Sequence, residues 1–208
     1  IKNNTELEHN DINKAFTSLF TFIEQMLYFR SLLDRTYLGF DIGGKHIFEE
    51  KIKKKNVTDF EKFLNTAGIE CKLSIVEELG KNTIAFNFDG KQLPFNEVAS
   101  TGTSALALFY FWFQNIKDNV KISFVFIDEF DAFYHYALSA LIVEKLKETG
   151  VQFILTTHNT SIMSNDLLRP DCYFEMTKKH ISPFSKNTQK ELREAHNLEK
   201  MYKAGSFD

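Results

Sequence analysis

Two acidic residues, Asp128 and Glu129, directly follow a strongly apolar run at residues 122–127. Such a run is typical of a buried β-strand, which would hold both carboxylates rigidly at the edge of a sheet. There, Asp128 can bind Mg²⁺ and Glu129 can polarise a water molecule that attacks a phosphate group. The alternative is a buried strand whose first loop residues are acidic. On their own, the two residues leave both interpretations open.

A histidine follows the next apolar run of the chain. Residues 153–155 read as another buried strand, and Thr156, Thr157, His158 and Asn159 come directly after it. A histidine in this place can contact a γ-phosphate and sense its loss. The alternative is a histidine or asparagine that only caps the following turn, where Thr and Asn are ordinary residues.

A third candidate segment stands before the apolar helix predicted over residues 105–113. It consists of Ser100, Thr101, Gly102 and Thr103. Glycine permits a phosphate to approach the backbone, the hydroxyl groups can donate hydrogen bonds, and a helix N-terminus favours an anion. The alternative is a cluster that only caps the helix, since Ser and Thr are standard capping residues.

The elements that position these residues follow from apolar periodicity. The spacing predicts helices over residues 11–33, 58–67, 105–113 and 136–148. It predicts strands over residues 71–76, 83–88, 92–95, 122–127, 153–155 and 171–176. Beyond residue 97, strands and helices alternate, which is typical of βαβ units with a parallel sheet. The polar candidates stand at the carboxyl ends of these strands, where open α/β sheets bind ligands.

A lysine-rich stretch covers residues 39–56. One interpretation is a solvated surface loop, which is usual for a short charged block. The other is a contact for nucleic acid or for a partner protein.

The order of the segments resembles the second half of an ABC-type ATPase. Residues 99–103 resemble the signature motif, residues 127–129 the Walker B motif, residues 130–135 the D-loop, and residues 156–160 the switch-histidine loop. The wording Ile-Asp-Glu-Phe-Asp and Thr-Thr-His-Asn-Thr, with His135 six residues after Glu129, is similar to one clade. That clade comprises stand-alone bacterial ABC-type ATPases of abortive-infection and other anti-phage systems, including the ATPase subunits of Septu and PARIS. The tail at residues 197–205 resembles the closing element of the clade.

This resemblance implies ATP and Mg²⁺ as cofactors and gives the candidate residues their roles. Asp128 would serve the metal ion, Glu129 would be the catalytic carboxylate, and His158 would contact the γ-phosphate as a second catalytic residue. The implied cofactor-binding residues are Ser100, Thr101, Gly102, Thr103, Asp131 and His135. Two departures are visible: Thr101 and Thr103 differ from the usual transporter signature, and His135 stands where many ABC ATPases have the D-loop aspartate.

The fold class implied is α/β, an ABC-ATPase-like P-loop NTPase core with a mostly parallel sheet flanked by helices. We expect residues 97–208 to form the C-terminal half of that core. Residues 1–96 would form a helical and small antiparallel β insertion on its N-terminal side. ATP would bind between two copies of the chain and control an effector, a nuclease, in response to nucleic acid or a phage protein.

Two other functions stay open. One is a non-catalytic scaffold or sensor that keeps the ABC fold for assembly, although the intact pair of Asp128 and Glu129 together with His158 argues against it. The other is an ATPase of the DNA-repair or overcoming-lysogenisation type, with a nuclease domain outside this segment.

Composition excludes several classes. The 208 residues carry 25 basic and 28 acidic side chains, a net charge of −3, which gives no electrostatic argument for a dedicated nucleic-acid-binding module. The longest apolar run, at residues 105–113, is half of the roughly 18–20 residues that a membrane span needs. The two cysteines stand far apart in the chain, which favours a reducing cytoplasm.

No Gly-x-x-x-x-Gly-Lys-Ser/Thr phosphate-binding motif occurs in the sequence. The nearest candidate, at residues 43–46, lacks the first glycine and has a histidine where a hydroxyl is needed, so it reads as a glycine turn. Since the chain opens on Ile1, we expect the P-loop and the Q-loop upstream of this residue in a longer polypeptide. We expect the segment alone to be inactive.

Overall fold

The computed structural model describes residues 8–30, 37–39, 54–78, 80–118 and 121–207. The helices are α1 (Asp11–Glu24), α2 (Lys54–Thr66), α3 (Phe95–Val98), α4 (Thr101–Asp118), α5 (Tyr136–Thr149) and α6 (Leu198–Lys203). The strands are β1 (Met26–Arg30), β2 (Tyr37–Gly39), β3 (Leu73–Glu78), β4 (Lys81–Phe88), β5 (Lys91–Pro94), β6 (Phe124–Asp128), β7 (Gln152–Leu155), β8 (Phe174–Met176) and β9 (Ile181–Pro183). Short 3₁₀ turns lie at Thr160–Ile162, Pro170–Cys172 and Phe184–Lys186.

The main sheet has four strands in the order β2-β1-β6-β7. Strand β6 runs parallel to β1 on one side and to β7 on the other, whereas β2 pairs antiparallel with β1. The register places Phe124 between Met26 and Gln152. The carboxyl ends of the three parallel strands therefore lie at one edge of the sheet. The predicted α/β fold with a mostly parallel sheet is confirmed.

One hydrophobic core joins this sheet to helices α4 and α5. Alternate strand residues are buried, such as Leu27 and Phe29 of β1, and the ring of Phe29 meets the ring of Trp112 edge to face at 5.8 Å. The buried residues of α4 are Thr103, Ala105, Leu106, Ala107, Leu108, Phe109, Trp112, Phe113 and Ile116. Those of α5 are Ser139, Ile142, Val143 and Leu146. This packing fixes the N-terminus of α4 relative to the end of β6.

A second sheet, β3-β4-β5, is antiparallel throughout. Helix α2 packs beside it in the same core, with the ring centroids of Phe60 and Phe95 5.7 Å apart and those of Phe86 and Phe95 5.1 Å apart. These elements are the helical and small antiparallel β part predicted on the N-terminal side, but residues 1–96 are not all insertion, because β1 and β2 belong to the main sheet. The proposed boundary between residues 96 and 97 stays a prediction.

The predicted helix over residues 11–33 is wrong at residues 26–30, and residues 31–33 lie outside the described part of the chain. Helix α1 ends at Glu24, and β1 begins two residues later. The apolar residues in this segment fit a helical spacing and a strand alternation equally well, so tertiary packing decides between them. As β1, the segment buries Leu27 and Phe29 almost completely, whereas α1 buries no residue at all.

The predicted strand over residues 171–176 does not join the parallel sheet. It is β8, which pairs antiparallel with β9 in a separate two-stranded sheet. Phe174 and Met176 are 57% and 67% exposed, whereas a strand inside a parallel sheet is buried on both faces. A small cluster of Phe184, Leu198 and Phe207 forms the core of this C-terminal part.

Most of the lysine-rich stretch, residues 40–53, lies outside the described residues. Within the described ranges, no helix combines the length and the apolar character needed to cross a lipid bilayer.

Candidate functional site

The carboxyl edge of the parallel sheet brings together the acidic pair and the histidine that the sequence predicted as neighbours. Asp128 is the last residue of β6 and Glu129 follows it, while His158 lies just beyond the end of β7. Nε2 of His158 is 3.7 Å from Oε1 of Glu129. The two side chains are 93% and 54% exposed. Both are therefore accessible to a ligand at this edge of the sheet.

The turn after β6 is held by a hydroxyl group from the neighbouring strand. Glu129 has φ +46°, in the left-handed region that residues with a Cβ atom rarely adopt. Its backbone N–H donates to Oγ1 of Thr156 at 2.8 Å. The same hydroxyl donates to Oδ1 of Asp128 at 2.6 Å. One threonine thus contacts both acidic residues of the predicted site.

Thr157, the residue after Thr156, also donates its hydroxyl group to an aspartate of this turn. The hydroxyl of Thr157 donates to Oδ1 of Asp131 at 2.7 Å and accepts the N–H of Asn159 at 2.8 Å. Asp131 is only 9% exposed, and its Oδ2 has no hydrogen-bond partner within the described residues. Asp131 therefore faces the protein in this structure, and its predicted contact with a nucleotide stays a prediction.

Ser100 caps α4, and Thr101, Gly102 and Thr103 form the first turn of that helix, so the capping role considered for this segment is present. The N–H of Ser104 donates to the carbonyl oxygen of Ser100 at 2.8 Å, and the N–H of Thr103 donates to Oγ of Ser100 at 3.2 Å. The hydroxyl groups of Ser100 and Thr103 lie 2.9 Å apart, and Thr103 is buried at 8% exposure. Ser100 and Thr101 are exposed. Of the predicted phosphate-binding hydroxyl groups, these two are the accessible ones.

Gly102 and His135 lie next to the turn that follows β6. A Cβ atom at Gly102 would be 3.4 Å from the carbonyl oxygen of Phe133, so the N-terminus of α4 closely approaches this turn. His135 precedes α5 in extended conformation, and its carbonyl oxygen accepts the N–H of Leu138 at 3.0 Å. Its side chain makes no capping hydrogen bond and is exposed. All predicted site residues thus belong to one region of the molecule.

Sequence reasoning assigned no role to three residues of this region. Arg30, the last residue of β1, is in register with Asp128 and exposed. Arg30 lies in a segment that was wrongly predicted as helix. The alternation of the apolar residues Leu27 and Phe29 was the feature that could have indicated a strand ending at Arg30. The hydroxyl groups of Thr156 and Thr157 were visible at the end of a predicted strand, but their acidic partners are brought near only by the parallel pairing of β6 and β7.

The donor set suits a magnesium ion bound together with a phosphate better than a metal held by protein alone. Within the described residues, no group of three or more His, Cys, Asp or Glu side chains is placed to hold a metal ion. Mg²⁺ needs only one or two carboxylates when phosphate oxygens and water complete its octahedral shell. Asp128, with Glu129 beside it, meets that requirement.

An α/β core with an acidic pair at the end of one parallel strand and a histidine beyond the end of the next is the arrangement that the resemblance to ATPase-type nucleotide-binding domains implies. Residues 8–164 match the family model described as "AAA domain, putative AbiEii toxin, Type IV TA system". The match covers about three quarters of the chain, which therefore belongs to this family. No curated protein matches the chain. The predicted ATPase-type domain is confirmed at this level, while the Septu and PARIS clade stays a prediction.

Proposed function

We propose that the protein hydrolyses ATP with the help of Mg²⁺, as the ATPase subunit of a cytoplasmic bacterial anti-phage defence complex. The observation that carries this proposal is the approach of His158 Nε2 to Glu129 Oε1, at 3.7 Å, beside Asp128. Membership in a family whose description names an abortive-infection toxin supports the defence role.

Each residue contributes a distinct step. Asp128 would hold Mg²⁺, which neutralises phosphate charge when it is bound. Glu129 orients the attacking water and accepts its proton, and its carboxylate is exposed enough to do so. His158 contacts the terminal phosphate and responds to its release. Because the His158 ring lies beside the Glu129 carboxylate, loss of the phosphate changes the surroundings of both groups together.

The chemistry also requires a phosphate-binding loop, and β7 offers a place for it. The outer edge of β7 has no strand partner within the described residues, and Ile154 on this strand is 46% exposed. An added parallel strand would end beside His158, one strand farther from Asp128, at the edge where α/β sheets bind their ligands. We propose that the loop reaches the site along this edge.

We further propose that two copies enclose ATP between them. The exposed residues Ser100 and Thr101 stand at the N-terminus of α4, an arrangement that favours a phosphate held by the second copy. His135, which is exposed, would act at the same interface, whereas the buried Asp131 would act through the turn that it holds with Thr157. Nucleotide binding would then control an effector nuclease in response to nucleic acid or a phage protein.

The substitution Glu129→Gln tests the proposed activity; this test and the other measurements of hydrolysis use a protein that includes the proposed phosphate-binding loop. It should leave ATP binding intact and lower the rate of hydrolysis by about 10²–10⁴-fold, the usual contribution of a general base. The control Glu148→Gln changes an ion-paired glutamate at the far end of α5 and should hydrolyse ATP at the wild-type rate. Wild-type hydrolysis by Glu129→Gln would contradict the assignment. A wild-type protein that binds ATP without hydrolysing it would instead favour the non-catalytic scaffold.

A further inference from the structure

We propose that Thr156 is the positioning residue of the site, and that its hydroxyl group sets the geometry of both Asp128 and Glu129. This inference rests on the proposed function, because it concerns the same reaction.

Thr156 contacts four consecutive residues of the other strand and its turn. Its backbone N–H donates to the carbonyl oxygen of Ile127 at 3.1 Å, and its carbonyl oxygen accepts the N–H of Phe130 at 3.1 Å. Between these two bonds, its hydroxyl group lies 2.6 Å from Asp128 Oδ1 and 2.8 Å from the N of Glu129. The backbone bonds position the hydroxyl, and any residue type except proline would keep them at this position. Only the hydroxyl group distinguishes threonine here.

The direction of the two side-chain bonds is fixed by chemistry. The N–H of Glu129 can only donate, so Oγ1 of Thr156 accepts from it. An ionised carboxylate can only accept, so the hydroxyl hydrogen is donated to Asp128. One oxygen of Asp128 is thereby held by the protein, which leaves the carboxylate oriented to offer its other oxygen to a cation.

The bond to Glu129 acts on the backbone. A residue with a Cβ atom is disfavoured at φ +46°, so Glu129 keeps this conformation only where its surroundings hold it. The hydroxyl of Thr156 satisfies the N–H of Glu129 in that conformation. Because this conformation directs the Glu129 side chain beside His158, removing the hydroxyl should disturb both the metal ligand and the general base. Partners of this kind behind metal ligands typically contribute 10–100-fold to affinity or activity.

The test compares Thr156→Val, which has the same shape without a hydroxyl group, with Thr156→Ser, which keeps it. We expect Thr156→Val to lower kcat by roughly 10–100-fold, and Thr156→Ser to recover most of that loss. Mn²⁺ binding, measured by electron paramagnetic resonance in the presence of a non-hydrolysable ATP analogue, should weaken in the valine variant and recover in the serine variant. The control Thr83→Val, on β4 in the second sheet, should change neither quantity.

Unfolding by denaturant measures the stability of each Thr156 variant, so that a loss of activity can be distinguished from a loss of folded protein. If Thr156→Val is too unstable to measure, Thr156→Ala replaces it with the same expectation. Wild-type kcat and Mn²⁺ affinity in the valine variant, or equal defects in the valine and serine variants, would overturn the inference. If Glu129→Gln also hydrolyses ATP at the wild-type rate, the proposed function fails instead. If Glu129→Gln is inactive and Thr156→Val is fully active, only the proposed role of Thr156 is overturned.

Discussion

Gly102 lies so close to the carbonyl oxygen of Phe133 that a Cβ atom at Gly102 would be 3.4 Å from it. The contact joins the N-terminus of α4 to the turn between β6 and α5. These are the two segments whose resemblance to a signature motif and a D-loop came from separate parts of the sequence. A ligand bound at one of these segments would therefore lie close to the backbone of the other.

This contact makes Gly102 a sharp test of the two-copy arrangement. The distance of 3.4 Å is an ordinary van der Waals contact, so Gly102→Ala should be accommodated. We expect Gly102→Glu to spare nucleotide binding by the monomer and to block ATP-driven dimerisation, because its bulk and charge would meet the phosphates of the second copy's nucleotide. Light scattering with and without ATP measures the effect. ATP-driven dimers of Gly102→Glu would contradict an interface at this helix end.

Replacing a leucine by alanine should affect stability strongly in the core and weakly on the surface of α1. Leu106 of α4 is fully buried, at 0% exposure, whereas Leu19 of α1 is 53% exposed. Leu106→Ala should lower the free energy of unfolding by about 2–5 kcal/mol. Leu19→Ala should change it by about 0.5 kcal/mol or less. Chemical denaturation of both variants checks this. A large loss for Leu19→Ala would mean that the apolar side of α1 is covered in the folded protein.

Much of the fold could be predicted because its long elements have a strong periodicity. The helices α2, α4 and α5 and the strands β3, β4, β6 and β7 follow from their apolar spacing. The segment around Leu27 and Phe29 could not be assigned, since its spacing suits a helix or a strand and only burial against Trp112 decides. The two-stranded sheet near the C-terminus could not be predicted either, because the residues of a short strand do not indicate which strand it pairs with.

The same distinction holds for the site. The proximity of Glu129 and His158 could be predicted because they stand just beyond the ends of two apolar strands, whereas the catalytic roles of Asp128, Glu129 and His158 stay predictions. Their approach required only that neighbouring strands run parallel. The role of Thr156 could not be predicted, since it depends on the register that aligns Leu155 with Ile127. The burial of Asp131 was hidden for a related reason, because Thr157 reaches it from another strand.

The thiol of Cys71 provides a test of the local electrostatics beside α2. Burial, and then the charge of Glu61, raise the pKa of Cys71 above its ordinary value of 9.0, against the opposing charge of Lys72. A raised pKa lowers the thiolate fraction at a given pH, and the thiolate is the reactive form. The rate of alkylation of Cys71 should therefore keep rising as the pH passes 9.0. Peptide mass mapping after timed alkylation measures the rate at this cysteine.

The substitution Glu61→Gln is the matched change for that test. The Oε2 atom of Glu61 accepts the N–H of Leu73 at 2.7 Å, and a glutamine carbonyl can accept the same bond. Because the negative charge is removed, the pKa of Cys71 should fall and its alkylation at fixed pH should become faster. Protein unfolded in denaturant serves as the control, where both versions should react alike. A slower reaction in Glu61→Gln would contradict the assigned cause.

The last prediction concerns whether Glu129 and His158 act as one unit. Their side chains approach to 3.7 Å at the sheet edge, and residues that contact each other show non-additive effects on substitution. We expect His158→Ala to lower kcat for ATP hydrolysis while ATP binding is retained. The double variant Glu129→Gln/His158→Ala should be no slower than the more impaired single variant. If the two residues act in one step, the first substitution already removes the rate enhancement that depends on both. Single-turnover measurements on all four proteins give the coupling. If the two losses multiply in the double variant, the residues act independently, and the 3.7 Å approach carries no catalytic coupling.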